Sequence, residues 1–260
     1  MNTVTVRQVI IGEGIPKICV PVVGRTEEEI YKEARRVTRY PADILELRVD
    51  WFEHADNTEL VLRILHEIRK LIGNIPLLLT FRSFREGGES SLSWEQYSKL
   101  LITAADGRQA DMIDVEMFFE GQHEAEMKEL VRCLHQKKMI VVGSNHDFMK
   151  TPDEQEIIRR LCFMYDLNAD IAKIAVMPQC ERDVLALLSA TEHMKTHSGK
   201  GPVITMSMGR QGMISRLAGE TFGSSVTFAS AGKASAPGQM EVRQLKKILE
   251  SLHGEEEVSE

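Results

Sequence analysis

The stretch DMIDVEMFFEGQHEAEMKELVRCLHQKKMIVVGSNH (111–146) contains one complete strand–helix–strand unit. Two short apolar runs, 111–117 and 138–146, have the length and the Val and Ile content of β-strands. The segment between them is longer and amphipathic, which predicts a helix over 122–137. Two strands joined by a crossover helix form a parallel pair, so this stretch predicts an α/β fold.

The same unit repeats outward in both directions, giving eight predicted strands that alternate with eight predicted helices. The strands are 17–23, 43–50, 76–82, 111–117, 138–146, 170–177, 202–208 and 225–230; the helices follow Thr26, Ser93 and Thr151 or cover 58–72, 122–137, 181–197, 211–219 and 239–252. Eight such pairs in about 250 residues are typical of a (β/α)8 barrel, the TIM barrel. A doubly wound open sheet is the alternative, which the lack of a G-x-G-x-x-G motif after the first strand weakens.

The whole chain, 1–260, is therefore predicted to be a single barrel domain. Residues 4–16 predict a short N-terminal β-hairpin that closes the barrel floor, and the acidic tail 254–260 is expected to be frayed. Thr26 with Glu29, and Ser93 with Gln96, have the spacing of capping boxes at the start of two helices.

Composition excludes several classes of protein. The chain has 43% hydrophobic and 27% charged residues and a formal net charge of −7, which fits a folded soluble protein and argues against a nucleic-acid partner. No apolar run approaches the roughly 18 residues of a membrane span, and the first residues lack the apolar core of a secretion signal. The scattered cysteines are typical of reduced, buried thiols and predict a cytoplasmic protein; they are Cys19, Cys133, Cys162 and Cys180.

Charged residues interrupt the predicted strands near their carboxyl ends, where barrel active sites are built. Residues two apart in a strand point to the same side, so such pairs share one environment. Salt bridges that close the barrel could explain any single pair, but recurrence on strand after strand favours a functional site. These residues are Glu46, Arg48, Arg82, Asp114, Glu116, His146 and Lys173.

Lys173 is notable because it lies within the apolar run 170–177. Burial disfavours the charged form of an amine, and a neutral amine can form a Schiff base with a carbonyl group. The alternative is a buried structural lysine that is neutralised by Asp114 or Glu116.

His146 precedes Lys173 by one strand–helix unit, which places the two on neighbouring strands. An imidazole is suited to proton transfer near neutral pH. Glu86, in the loop after the third strand, is a candidate to orient this histidine.

Two further features have weaker interpretations. His193 and His197 have a helical spacing that can bind a metal, but no further ligand is evident nearby, and no metal site is predicted. The stretch SAPGQ (235–239) lies where barrels often bind an anion, although an ordinary helix cap is the alternative.

Seven motifs follow one another along nearly the whole chain. They are ELRVD (46–50), TFRSFREGG (80–88), DVE (114–116), SNHDF (144–148), KIAVMP (173–178), MSMGRQGMISR (206–216) and SAPGQ (235–239). Together they resemble the type I 3-dehydroquinate dehydratase family of the shikimate pathway. The resemblance implies a (β/α)8 barrel that dehydrates 3-dehydroquinate to 3-dehydroshikimate by syn elimination, without a metal or cofactor, in the biosynthesis of chorismate and aromatic amino acids.

The resemblance also implies roles for individual residues. Lys173 resembles the lysine that forms the Schiff base, His146 the general acid/base, and Glu86 the residue that orients it. The implied substrate-binding residues are Glu46, Arg48 and Arg82 at the ring hydroxyls, Arg216, Ser235 and Gln239 at the carboxylate, and Met206, Met208, Phe148 and Phe228 as apolar walls. The family further implies a cytoplasmic homodimer that acts on a small molecule and binds neither nucleic acid nor membrane.

Without the resemblance, the residues are also compatible with two other classes of protein. Another Schiff-base barrel, such as an aldolase, would share the lysine but would not need the histidine or the carboxylate-binding residues. A barrel that binds a metabolite without turning it over would share the fold.

Overall fold

The computed structural model describes residues 2–119, 121, 124–232 and 236–254. Within these residues, eight parallel strands follow one another around a curled sheet in chain order, and a two-residue strand is added beside the last of them. The strands are β1 (Val4–Val6), β2 (Val9–Ile11), β3 (Lys17–Val22), β4 (Ile44–Arg48), β5 (Leu77–Thr80), β6 (Met112–Glu116), β7 (Ile140–Asp147), β8 (Ile171–Val176), β9 (Val203–Ser207), β10 (Val226–Ser230) and β11 (Met240–Glu241). The helices are α1 (Glu27–Val37), α2 (Thr58–Ile72), α3 (Trp94–Gly107), α4 (Glu124–Gln136), α5 (Glu154–Asp166), α6 (Glu181–His193), α7 (Met213–Leu217), α8 (Gly219–Phe222) and α9 (Val242–His253).

The predicted TIM barrel is confirmed, and the doubly wound alternative is wrong. Side chains of each strand alternate between two apolar clusters because successive residues of a strand point to opposite faces. On β4, Leu45 and Leu47 pack outward against the helices, whereas Ile44 packs inside the barrel. The barrel interior is therefore filled by every second residue of each strand.

The predicted hairpin is confirmed and covers the amino-terminal end of the barrel. Strands β1 and β2 pair in antiparallel fashion, and Val6 and Ile11 are buried in the interior cluster together with Ile44 and Met112. Ile44 lies two residues before Glu46 on β4, and Met112 lies two residues before Asp114 on β6, so each apolar residue is on the same face as a charged one. The hairpin thus seals an apolar layer and leaves the charged layer at the opposite end.

The ring closes between β9 and β10 with few backbone hydrogen bonds. A single bridge joins Val203 to Ser224, and the N–H of Ser225 donates to the carbonyl oxygen of Val203 at 2.8 Å. Further along β9, the hydroxyl of Ser224 replaces the missing backbone partners: it accepts from the N–H of Thr205 at 3.0 Å and donates to the carbonyl oxygen of Thr205 at 3.2 Å. A buried side chain thereby satisfies backbone groups that a neighbouring strand would otherwise satisfy.

The helices agree with the predicted pattern but differ at their ends. Helix α2 has the predicted bounds, whereas the predicted helix 211–219 is divided into α7 and α8. The predicted helix 181–197 ends as an α-helix at His193 and continues as a π-helical segment, Met194–Ser198. The predicted helix 239–252 begins later, because Met240 and Glu241 extend the sheet as β11.

One predicted capping box is confirmed and the other is incomplete. Ser93 and Gln96 exchange both expected hydrogen bonds. At α1, Thr26 accepts from the N–H of Glu29, but the carboxylate of Glu29 accepts from the N–H of Arg25 instead of that of Thr26.

No helix among the described residues is long and apolar enough to cross a membrane. All four cysteines are unbridged, as predicted, but the prediction that they are buried holds only for Cys19; Cys133 and Cys162 are half-buried, and Cys180 is exposed.

Closure of the barrel gives a prediction about stability. Ser224→Ala leaves the buried N–H of Thr205 without its acceptor, so we expect the free energy of unfolding in urea to fall by about 1–3 kcal/mol. Ser207→Ala is the matched control, because the buried hydroxyl of Ser207, on β9, has no hydrogen-bond partner among the described residues. Equal losses in the two variants would contradict a closing role for Ser224.

Candidate active site

A cavity of about 460 Å³ opens at the carboxyl ends of the barrel strands. Gly87, Ala175 and Ala236 also line it, although the sequence did not single them out. Arg216 lies behind the wall, against Met206, and Ser235 lies outside the described residues. The predicted site residues that line the cavity are Glu46, Arg48, Arg82, Glu86, His146, Phe148, Lys173, Met206, Met208, Phe228 and Gln239.

Lys173 is buried in β8 and reaches the cavity with its side chain. Its Nζ lies 3.1 Å from Oδ2 of Asp114 and 3.5 Å from Oε1 of Glu46, and 4.7 Å from the centre of the Phe228 ring. Of the two carboxylates proposed as structural partners, the structure pairs the lysine with Asp114. Pairing and exposure to the cavity are both observed, so the structural and the chemical interpretations of this lysine are compatible.

Asp114 connects this lysine to the rest of the charged layer. Its Oδ1 accepts from Arg82 at 2.7 Å and from the hydroxyl of Ser144 at 2.6 Å. Burial by itself would raise the pKa of Asp114, but Arg82 and Lys173 outweigh it and lower the pKa. Asp114 is therefore a fixed negative charge beside the amine.

Arg82 is shared among several buried acceptors. In addition to Asp114, its Nη1 donates to Glu116 at 2.9 Å and to Ser144 at 3.0 Å, and lies 3.4 Å from Glu86. Burial opposes its charge, yet these carboxylates raise the pKa of Arg82 well above its ordinary value. This guanidinium organises the site and also lines the cavity.

Asp50 is a buried site residue that the sequence analysis missed. Both of its oxygens accept from Arg48, each at 2.8 Å, and they also accept from the N–H groups of Arg82 and Glu89, each at 3.2 Å. It therefore ties Arg48 to both ends of the loop that carries Glu86. Its position two residues after Arg48, in the motif ELRVD, was the available signal.

The two glycines after Glu86 are required by close packing. A Cβ at Gly88 would lie 1.9 Å from the carbonyl oxygen of Arg82, and a Cβ at Gly87 would lie 2.2 Å from the ring of Phe148. Gly87 also has a φ of +81°, which favours glycine. The loop thus folds tightly enough to bring Glu86 to the fifth barrel strand, β7.

Glu86 and His146 form a hydrogen-bonded pair on one side of the cavity. Nδ1 of His146 lies 2.9 Å from Oε2 of Glu86, and the backbone N–H of His146 donates to the same oxygen at 3.0 Å. The other carboxyl oxygen, Oε1, accepts from the side-chain amide of Asn145 at 3.0 Å. Because Nδ1 is engaged, Nε2 is the ring nitrogen left for the cavity.

The environment of this pair favours its uncharged forms. Burial, followed by the nearby charge of Glu116, raises the pKa of Glu86 to about 8. Burial, followed by the charges of Arg82 and Lys173, holds the pKa of His146 well below its ordinary value of 6.5. In these uncharged forms the pair holds two protons, and loss of one of them leaves a proton between Nδ1 and Oε2 and a bare Nε2 that can accept a proton.

Arg216 differs from the other buried arginines because no carboxylate pairs with it among the described residues. It is 3% exposed, its Nη2 donates to the carbonyl oxygen of Pro237 at 3.1 Å, and its Nη1 lies 3.7 Å from the sulfur of Met206. Burial lowers the pKa of Arg216 to about 10. A buried cation without a counter-ion beside a cavity is suited to bind an anionic ligand.

The described part of the chain contains no group of three or more His, Cys, Asp and Glu residues that could hold a metal ion. His193 and His197 stack on one another with ring centres 4.7 Å apart.

The fold and the site are those of a barrel enzyme with a buried, cavity-lining lysine. The sequence model of the type I 3-dehydroquinase family matches residues 18–256. The chain belongs to this family, and it is therefore an enzyme of the hydro-lyase class.

Individual relatives agree over nearly the full length. The chain is 50% identical to the 3-dehydroquinate dehydratase of Clostridium kluyveri over 251 residues, which cover 96% of this chain and 98% of the relative. It is 49% identical to that of Salmonella agona over 253 residues, 97% of this chain and 99% of the relative. A crystal structure of the type I enzyme from Clostridium difficile with covalent modified comenic acid has a TM-score of 0.93 at 47% identity and covers 97% of this chain and 98% of that chain.

The buried pair gives a prediction about pH. The folded-state pKa of Glu86, about 8, exceeds its ordinary 4.5, so its contribution to stability is lost as the pH rises toward 8. The lowered pKa of His146 contributes stability that is lost as the pH falls below 6.5, so the two effects offset each other between pH 4.5 and 6.5.

Between pH 6.5 and 8 the effect of Glu86 remains. Relative to Glu86→Gln, we expect the free energy of unfolding of the wild type to fall by at most about 1.4 kcal/mol per pH unit in this range. Urea unfolding at each pH measures this. Parallel pH curves for the two proteins would show that Glu86 is ionised throughout.

Proposed function

We propose that this protein dehydrates 3-dehydroquinate to 3-dehydroshikimate by syn elimination through a Schiff base on Lys173, with His146 as the general acid and base. One observation carries this proposal: the amine of Lys173 and the His146–Glu86 pair line the same cavity. Arg216, without a carboxylate partner among the described residues, lies behind the wall of this cavity, against Met206. An amine, a proton-transfer group and an anion-binding group are what a keto acid requires.

The first step is condensation of Lys173 with the C3 ketone. The amine must lose a proton before it attacks, and Asp114 at 3.1 Å and Glu46 at 3.5 Å are the carboxylates beside it. The carbonyl oxygen leaves as water after it has been protonated, and an iminium ion remains. His146 can supply and remove the protons that this step needs.

The second step is elimination. Nε2 of His146 removes a proton from C2, and the electron pair moves to the iminium nitrogen to give an enamine. The enamine electrons then return and expel the C1 hydroxyl, which receives a proton from the same imidazolium and leaves as water. Because one group performs both proton transfers, the elimination is syn. Hydrolysis of the product iminium frees the lysine.

Substrate binding follows from charge and shape. The guanidinium of Arg216 can bind the substrate carboxylate through two parallel hydrogen bonds, a role in which we also propose Gln239 and Ser235. Arg48 is held by Asp50, and Arg82 by three carboxylates, so both present fixed donors to ring hydroxyls. With Glu46 they would bind the polar face of the ring. The proposed apolar walls are Met206, Met208, Phe148 and Phe228.

The comparisons support the choice of substrate. Relatives that are about half identical over nearly their full length are 3-dehydroquinate dehydratases. The structure of the C. difficile relative with covalent modified comenic acid is compatible with covalent chemistry in this family.

We further propose a single-domain cytoplasmic homodimer that needs neither a metal nor a cofactor and serves aromatic amino acid and chorismate biosynthesis. Light scattering of the purified protein tests the homodimer, and assays in the presence of a chelator test whether a metal is needed.

Removal of the amine tests the covalent route. Lys173→Met should abolish turnover, measured as near-ultraviolet absorbance of the conjugated product, because no other residue is proposed to form the imine. Borohydride reduction of the wild type with 3-dehydroquinate should attach the intact ring acid to Lys173, as peptide mass spectrometry would show. A smaller adduct would favour an aldolase, and wild-type rates in Lys173→Met would rule out the Schiff base.

Removal of the imidazole tests proton transfer separately. His146→Ala should lower kcat by about 10²–10⁴-fold, the usual contribution of general acid–base catalysis, while leaving Lys173 able to condense. Intact-protein mass spectrometry should then detect an adduct that persists without borohydride. A variant that keeps the full rate would show that another group is the base.

A further inference from the structure

Asn145 connects the His146–Glu86 pair to the outside of the barrel. It is 7% exposed, and its side-chain amide nitrogen donates to Oε1 of Glu86 at 3.0 Å. Its carbonyl oxygen accepts from Nη1 of Arg160, on α5, at 2.9 Å. A continuous hydrogen-bonded chain therefore runs from Arg160 through Asn145 and Glu86 to the imidazole.

The guanidinium of Arg160 fixes the orientation of the Asn145 amide. A guanidinium is a donor only, whereas a carboxamide has one donor end and one acceptor end. With Arg160 at the oxygen, the NH₂ group of Asn145 must face Glu86. Without it, the amide could turn over and present its oxygen to the carboxyl group.

The orientation of this amide decides where the proton of the catalytic pair resides. An N–H donor at Oε1 of Glu86 favours a bare oxygen there, which leaves the proton between Oε2 and Nδ1 of His146. A reversed amide would instead accept a proton from Oε1 and keep Glu86 neutral. A neutral Glu86 would stabilise the imidazolium of His146 less.

Arg160 is held in place at the surface. Its side chain is 21% exposed, its Nε pairs with Glu156 at 2.7 Å, and its guanidinium lies 5.9 Å from the centre of the Phe118 ring. It lines an open cavity whose wall includes Asn145 and which shares His146 and Glu86 with the cavity of Lys173. A residue outside the barrel is thus placed to act on the pair within it.

We propose that Arg160 is a positioning residue for the dehydration: by fixing the Asn145 amide it favours the ionised form of Glu86, which stabilises the imidazolium that forms when Nε2 of His146 takes up a proton. This inference rests on the proposed function, because it assigns Arg160 an effect on the base of that reaction.

The test compares two neighbouring arginines. Arg159 is next to Arg160 on α5 and pairs with the same Glu156, at 2.6 Å, but has no contact with Asn145 among the described residues. Arg159→Met therefore removes a similar charge and leaves the hydrogen-bonded chain intact. Steady-state rates with 3-dehydroquinate are measured across pH for the wild type, Arg159→Met, Arg160→Met and Arg160→Lys.

We expect Arg160→Met to lower kcat about tenfold with little change in KM and to move the acidic limb of the kcat/KM profile down by about one pH unit, since one pKa unit is a tenfold change. Arg159→Met should match the wild type, and Arg160→Lys should recover part of the rate. Asn145→Ala should have the same effect as Arg160→Met. The double variant, Asn145→Ala with Arg160→Met, should be no slower than Asn145→Ala alone, because both residues act through the same series of hydrogen bonds.

Other outcomes separate the two proposals. If the wild type turns over but Arg160→Met and Arg159→Met have the same pH profile, or if the double variant shows additive losses, the inference about Arg160 is wrong and the proposed function stands. If the wild type does not turn over 3-dehydroquinate, the proposed function itself fails.

Discussion

The active site depends on the compensation of charges that are buried within an apolar barrel. Among the described residues, the buried cations Arg48, Arg82, Lys173 and Arg216 lie alongside five buried carboxyl groups, Glu46, Asp50, Glu86, Asp114 and Glu116. An unpaired buried charge is costly, so each group must have a partner or become neutral. Most of the cations are paired, and the raised pKa of Glu86 shows which acid takes up a proton. The acid that takes up a proton most readily is the one that contacts the histidine, so charge balance and the acid–base properties of this pair have the same cause.

The barrel makes this arrangement possible because it separates an apolar layer from a charged one. The hairpin closes one end over residues such as Ile44 and Met112, and two positions further along the same strands come Glu46 and Asp114. The alternation of strand residues directs both pairs inward. The site is thus bounded by apolar side chains on the side of the hairpin and is open at the carboxyl ends of the strands. Electrostatic interactions are stronger in such surroundings than in water.

The unequal pairing of the arginines explains how an acidic protein can bind an acid. Arg48 and Arg82 have carboxylate partners, whereas the described contacts of Arg216 are a carbonyl oxygen and a sulfur atom. A net charge of −7 repels anions at long range, but salt screens this effect, and a buried cation beside the cavity acts over a short distance. This difference is the reason that we propose Arg216, and not Arg48 or Arg82, for the carboxylate of the substrate.

The sequence by itself determined the barrel, the hairpin and most of the order of strands and helices, and it indicated Lys173, His146 and Glu86 as candidate site residues, because periodicity and strand-end position are local properties of a chain. It did not find Asp50 or the links from Asn145 to Arg160, and it left two carboxylates as partners for the lysine. Those choices depend on which side chains meet across strands and loops far apart in the chain, such as Lys173 and Asp114. Only the tertiary structure decided them, since the pairing of buried charges is set by distances between elements and not by the pattern within any one of them.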